Sequence, residues 1–272
     1  MIIKTFGDLK IPALGLGTWR LNGNTCKNIV LQALNIGYRH IDTADAYGNE
    51  QDIGRAIAQS GISRDDIFLT TKLPWEKLRG NEVIAAMRQS LDKLQTQYTN
   101  LLLIHWPSTQ GVPVKETLEA MQMLKADGKI RAIGVSNFTP TLLTEALKHA
   151  NILCNQVEYH PFLAQSRLLE MATENELMIT AYCPIARGKV SDSETIKEIA
   201  ETHDKLPTQI TLRWLIQQKN VVAIPKTANP EHLKSNFDIF DFELSEAEMN
   251  RISGLNQGLR LIDPEFAPHW ES

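Results

Sequence analysis

The chain has 272 residues, 43% of them hydrophobic, with a net charge of -4 and a pI near 6.0, enough for one large core and without the basic footprint of a nucleic-acid partner. No stretch of 18 apolar residues occurs, and MIIKTFGDLK lacks the apolar core of a signal peptide, so a cytoplasmic protein with no membrane partner is expected. Cys26, Cys154 and Cys183 lack CxxC spacing, and the seven histidines show neither HxH nor HExxH, which argues against a disulfide framework and against any metal site.

Residues 2–12 alternate about Gly7-Asp8 and predict a β-hairpin acting as a lid on one end of the core. Leu14 to Gly17 reads as a short buried strand. Its two glycines are not a dinucleotide fingerprint, because Arg20 holds the third position and polar loop follows where a helix should open. Then come a helix over Thr25 to Asn35 and a strand over Tyr38 to Ile41. The next stretch, HIDTADAYGNE from His40 to Glu50, leaves that strand with an acid, Asp42, and a phenol, Tyr47. It enters a helix over Glu50 to Gln59, for which Asn49 is the expected cap, with Asp52 in a capping-box arrangement.

Strands are further predicted over Ile67 to Thr71, Leu101 to Ile104, Ala132 to Val135, Leu153 to Val157, Met178 to Ala181 and Val221 to Ile224. Helices are predicted over Glu82 to Leu94, Val114 to Ala126, Pro140 to Lys148, Ser166 to Asn175, Glu194 to His203 and Pro207 to Gln218. Eight strands alternating with helices, without a linker, predict an α/β protein: a single (β/α)8 TIM barrel over 1–272, with the hairpin lid and extra helices near the C-terminus. A doubly wound open sheet is the alternative. Just beyond the strands stand Trp19, Asp42, Lys72, His105, Ser136 with Asn137, Gln156, Tyr182 and Lys226. In a barrel all would gather at the C-terminal mouth, where function resides.

Asp42, Tyr47, Lys72 and His105 make chemical sense as a set. A phenol with a pKa near 10 exchanges protons poorly at neutral pH, but a lysine cation beside it favours the phenolate. A carboxylate beside that lysine keeps it charged, and His105 is placed to orient a carbonyl oxygen. Singly, Lys72 with Asp42 reads as a structural ion pair and His105 as a satisfied core histidine. At consecutive strand ends of one barrel, the functional reading of all four outweighs these.

The same residues carry a resemblance. DTADAYGNE, TTKLPW around Lys72, LLLIHWP around His105, GVSNF, NQVEYHP and IPK, in this order, resemble the aldo-keto reductase superfamily, most closely the bacterial branch with 2,5-diketo-D-gluconate and methylglyoxal reductases. The resemblance implies hydride transfer from NADPH to an aldehyde or ketone without a metal, with Tyr47, Asp42, Lys72 and His105 catalytic and Tyr47 the acid. It implies cofactor contacts at Thr18, Trp19, Asp42, Ser136, Asn137, Gln156, Tyr182, Cys183, Pro184 and Ile185, with the Tyr182 ring stacked on the nicotinamide. It implies further cofactor contacts at Lys226, Thr227, His232 and Asn236, beside a helix opening at Asn229-Pro230 whose N-terminus suits a phosphate.

Trp19, Tyr47, Trp75, His105 and Trp106 would bind substrate. Core packing is the competing role for Trp75. The sequence departs from the family where His232 stands for the usual arginine and Ser235 for an acid or amide, which implies weakened NADP preference and appreciable NADH use. Short loops after His105 and Tyr182 imply an open pocket for small polar carbonyl compounds. Arg187 and Lys189 are either a cover for the pyrophosphate or a solvated loop. The tail, Gly258 to Ser272, either folds over the pocket or is a loose terminus. A nucleotide-sensing subunit is the alternative from another class, and a metal-dependent hydrolase lacks ligand spacing. A monomer is expected.

Overall fold

Short runs of apolar and β-branched residues, too short for a stable helix, fall between amphipathic stripes of helical period, and the fold follows that alternation. The structure, a computed structural model, describes residues 1–270; Glu271 and Ser272 of the expected tail lie outside the described residues. Strands β1 (Ile3–Phe6) and β2 (Leu9–Pro12) pair antiparallel, with Phe6 opposite Leu9. Gly7 at their turn has φ of 55°, a left-handed conformation that glycine adopts without steric cost.

The other eight strands run parallel in sequential order: β3 (Leu16–Gly17), β4 (His40–Asp42), β5 (Phe68–Leu73), β6 (Thr99–Ile104), β7 (Ile130–Ser136), β8 (Ile152–Glu158), β9 (Met178–Tyr182) and β10 (Val221–Ala223). Helices α1 (Gly23–Ile36), α2 (Glu50–Ser60), α3 (Gly80–Leu94), α4 (Val114–Ala126), α5 (Pro140–Leu147) and α6 (Ser166–Glu174) alternate with them. After β9 come a 3-10 segment over Ala186–Asp192, α7 (Glu194–Thr202) and α8 (Pro207–Gln217), and after β10 come α9 (Pro230–Phe237) and α10 (Glu246–Ser253). Strand order rules out the doubly wound sheet, since a sheet that reverses direction at a switch point would not be sequential.

The first and last strands meet, which closes the sheet into a (β/α)8 barrel. Leu14 bridges Ala223 in parallel, and backbone N-H groups of Gly15, Ala223 and Gly17 donate to Ala223, Ala13 and Pro225 at 2.9, 2.9 and 3.0 Å. The two glycines of this strand allow that approach: a Cβ on Gly15 would lie 2.8 Å from the His40 ring, and one on Gly17 would lie 2.7 Å from the Ile224 carbonyl. The hairpin is a lid as expected. Phe6 and Ile11 pack with Phe68, Leu101, Leu103, Ala132, Cys154, Met178 and Val222 inside the N-terminal end of the barrel, while a far larger apolar layer lies between barrel and helices.

Two local expectations are corrected. Lys72 and Gln156 lie within β5 and β8, and Asp42, Ser136 and Tyr182 end their strands rather than follow them. A polar side chain is tolerated in these strands because it points into the barrel mouth, where partners meet it. Asn49 caps α2 by position only, making no side-chain cap bond. Its side chain is buried and bonded elsewhere, and Asp52 accepts the Gly23 N-H at 2.7 Å instead of closing a capping box.

Candidate active site

Tyr47 sits on a 3-10 turn, Asp45–Tyr47, between β4 and α2. Asn49 holds the base of this turn. Its Oδ1 accepts from Thr43 at 2.7 Å, and its Nδ2 donates to the carbonyls of Thr18 and Leu21, both at 2.9 Å. One buried amide therefore joins the Tyr47 turn to the loop that carries Trp19. On the outer side, Lys93 from α3 reaches Asp45 at 2.5 Å and Glu50 at 3.6 Å.

The centre of the mouth is a buried chain of charge. Lys72 Nζ donates to Asp42 Oδ1 at 2.5 Å, to the Thr43 carbonyl at 2.9 Å and to the Tyr47 hydroxyl at 3.3 Å. Gln156 Nε2 donates to the other Asp42 oxygen at 2.8 Å. Burial acts most strongly on Lys72 and disfavours its charge, but Asp42 and Tyr47 together outweigh it and raise its pKa above the usual lysine value. Tyr47 goes against the expectation of a lowered pKa. Burial raises it, and the opposing pull of Lys72 does not overcome burial with Asp42 nearby, so the phenol keeps its proton.

His105 follows β6 and packs edge-on against Tyr47 and Trp75, with ring centroids 5.5 and 5.8 Å away. Its Nδ1 is buried without a protein partner, so it is not a satisfied core histidine. Burial, aided by the Lys72 charge, holds its pKa well below the usual histidine value and the ring neutral. Its carbonyl accepts from Asn137 Nδ2 at 3.0 Å. The Tyr182 hydroxyl donates to Asn137 Oδ1 at 2.7 Å, and Ser136 Oγ donates to the Gln156 carbonyl at 2.9 Å.

A cavity of about 690 Å³ gathers these groups. It is lined by Thr18, Trp19, Asp42, Tyr47, Trp75, His105, Trp106, Ser136, Asn137, Gln156, Tyr182, Cys183, Pro184, Ile185 and Lys226, all of them expected site residues. Lys72, buried behind Asp42 and Tyr47, and Thr227, His232 and Asn236 do not line it. Thr227 is tied to the Asn229 backbone, Asn236 is buried in α9, and His232 is exposed on that helix. Asn229 caps α9 through the Glu231 N-H at 2.9 Å. Glu231 in the first turn lies 3.1 Å from Lys234, and its charge weakens the pull of this terminus on an anion.

The rest of the cavity wall, Gly17, Arg20, Ala46, Ile224 and the tail residues Leu261 to Pro264, was not expected from the sequence; Arg187, left open there, also lines it. The tail covers the pocket, and the expectation of an open site is corrected. Phe266 stacks on Trp75 at 4.6 Å and 18°, and meets Trp106 edge-on at 5.4 Å; Trp270 meets Trp106 at 6.2 Å. The paired aromatics of the tail, GLRLIDPEFAPHW, were the available signal. No group of three or more His, Cys, Asp or Glu able to hold a metal occurs among the described residues, and none of their helices is long and apolar enough to cross a membrane.

The chain resembles known proteins along nearly its whole length. The profile described as the aldo/keto reductase family matches residues 13–257. Glyoxal reductase of Bacillus subtilis (strain 168) is 41% identical over 263 residues, which cover 95% of this chain and 94% of that protein. A solved structure provisionally assigned as a 2,5-diketo-D-gluconic acid reductase B superposes with a TM-score of 0.96 at 42% identity, covering 100% of this chain and 98% of that one. An aldo-keto reductase of Bombyx mori, solved in complex with NADP, gives a TM-score of 0.91 at 32% identity, covering 98% and 99%.

Proposed function

Since the chain belongs to the aldo/keto reductase family, we propose that it is an NADPH-dependent reductase of small polar carbonyl compounds, keto sugars and 2-oxoaldehydes among them, with NADH also used. The observation that carries the proposal is the Lys72 ammonium held between Asp42 at 2.5 Å and the Tyr47 hydroxyl at 3.3 Å, beside a neutral His105. That set suits proton donation to a carbonyl oxygen.

The cavity fits a nicotinamide cofactor. Gln156 spends its amide nitrogen on Asp42 and lines the cavity, where its side-chain oxygen suits a carboxamide N-H. Asn137 and Ser136 lie beside it, and the Tyr182 ring offers a flat apolar face. At the other end, Lys226 and Arg187 supply cations for phosphates. The NADP complex of the Bombyx mori protein supports the same assignment. When bound, NADPH supplies the hydride that the carbonyl carbon receives.

The chain's own residues do the rest. A neutral His105 donates an N-H to the carbonyl oxygen and orients it toward Tyr47. The Tyr47 hydroxyl passes its proton to that oxygen as charge develops there, leaving a phenolate that the Lys72 cation stabilises. Asp42, held by Gln156, keeps Lys72 charged throughout. Trp75 and Trp106, with the tail packed on them, exclude water from the pocket, and Trp19 also lines it. The substrate classes are supported by the glyoxal reductase and diketogluconate reductase relatives and by the limited volume under the tail. The proposal treats residues 1–272 as one domain working as a monomer.

The test is oxidation of NADPH, and separately NADH, with methylglyoxal, a simple aromatic aldehyde and a diketo sugar acid, for wild type and Tyr47→Phe. Turnover lost in Tyr47→Phe with coenzyme binding kept is the expected result. Tight coenzyme binding without turnover by wild type on any carbonyl would favour the sensing subunit, and binding of neither coenzyme would sink the proposal.

A further inference from the structure

Glu158 is a buried carboxylate that the proton chemistry above does not use. It ends β8 two residues after Gln156, is fully buried, and has no lysine or arginine nitrogen within 4.0 Å among the described residues. A buried charge without a cation needs several hydrogen bonds to be tolerated. Glu158 finds them mostly in the tail. Oε1 accepts the Leu261 N-H at 2.8 Å and Oε2 accepts the Ile262 N-H at 2.9 Å, while His160 Nε2 lies 3.0 Å from Oε1. Arg260 lies near enough to feel the charge, and its guanidinium stacks 3.7 Å over Trp270.

The residues so held are part of the pocket wall. Leu261 to Pro264 line the cavity, and Phe266, four residues beyond Ile262, stacks on Trp75. Just upstream, the Gln257 and Leu259 N-H groups donate to the Phe162 carbonyl at 3.1 and 2.9 Å, and Asn256 Oδ1 accepts the Ala164 N-H at 2.9 Å. These contacts fix the start of the tail. Among the described residues, the two bonds to Glu158 are the hydrogen bonds that tie this pocket-facing backbone to the barrel, and a carboxylate with both oxygens engaged by consecutive amides fixes position and direction together.

We propose that Glu158 is a positioning residue: its carboxylate latches the tail at Leu261 and Ile262 and thereby sets the substrate side of the pocket. The inference rests on the reading of this pocket as a reductase site. Gln at 158 keeps the shape but replaces one acceptor with an NH2 that faces a tail N-H. Proline at 262 removes the Ile262 donor and leaves the barrel core untouched.

The experiment compares Glu158→Gln, Ile262→Pro and the double variant in the full chain. It reads KM and kcat with methylglyoxal, NADPH affinity by fluorescence titration, and the rate of chymotryptic cleavage after Phe266. Each single variant is expected to raise KM about tenfold, with kcat and NADPH affinity within about twofold, and the double variant should be no worse than either single, as expected for partners in one interaction. Cleavage after Phe266 should quicken several-fold in all three. The latch is overturned if neither KM nor cleavage responds to Glu158→Gln, if the two changes multiply, or if Glu158→Gln lowers kcat while Ile262→Pro changes nothing. Should wild type reduce no carbonyl, the reductase reading fails on its own; faster cleavage in both singles would still support the latch, and unchanged cleavage would overturn it.

Discussion

The Lys72 ammonium lies 3.3 Å from the Tyr47 hydroxyl and 4.9 Å from the centre of its ring. A cation at that distance stabilises the phenolate formed when the proton leaves, yet burial keeps the resting phenol protonated. The two influences suit Tyr47 to the proposed role of a donor that holds its proton until a partner demands it.

Lys72→Met separates chemistry from stability. Turnover should fall by at least about 10²-fold, the usual worth of positioned proton transfer. Asp42 would then be a buried carboxylate with only Gln156 and no cation, at a cost of about 3–5 kcal/mol, read from urea unfolding. The double variant Asp42→Asn with Lys72→Met should recover most of that stability and none of the turnover. Failure to recover the stability would mean that the pair contributes to stability by packing alone.

The pH profile follows from two shifts of opposite sign. With Tyr47 as the proposed acid, reduction needs it protonated, and its pKa is raised above 10.0, so kcat/KM should stay level through neutral pH and fall only as pH rises through that raised value. His105 has its pKa well below 6.5 and is already neutral there, so no break should occur near 6.5. A bell with an acid limb centred near 6.5 would show that His105 titrates freely and is not held in a dry site.

Coenzyme preference turns on one exposed position. His232→Arg places a permanent, forked cation on α9, beside the helix start at Asn229-Pro230 that the family resemblance assigns to a cofactor phosphate. The ratio of NADPH to NADH efficiency should rise about tenfold, corresponding to ~1.4 kcal/mol of added discrimination. Unchanged discrimination would put the phosphate elsewhere, with Lys226 and Arg187 as the groups to test next.

Gly134 tests the barrel itself. A Cβ there would stand 2.5 Å from Leu103 Cδ2 and 2.8 Å from the Cys154 carbonyl. The leucine can turn aside, but the carbonyl is ladder backbone. Gly134→Ala should cost about 1–3 kcal/mol by overpacking, visible as a lowered urea midpoint without a change of slope.

The parts of this molecule that depend on local pattern were legible in the sequence. Eight apolar strands, the helices between them and the Gly7 turn come from residue order over short windows, and the polar residues at strand ends pointed to one mouth. What was misread depends on distant partners. Asn49 has the chemistry of a helix cap, but Thr18 and Leu21, brought close only by barrel closure, claim its side chain. The direction of the Tyr47 shift depends on how dry its hydroxyl is, which no spacing encodes. The place of the tail stayed open between a cover and a loose end because its aromatic partners, Trp75 and Trp106, lie more than 150 residues away in the chain.

The hairpin that plugs the barrel floor has a kinetic meaning. With Phe6 and Ile11 packed into that end, the doorway of the cavity lies at the strand tips, partly shuttered by the tail. Two ligands sharing such a space must queue: the one seated deeper enters first and departs last. Whatever governs that doorway governs the order of traffic, and a substitution at the tail can change the pace of release without touching a reacting atom.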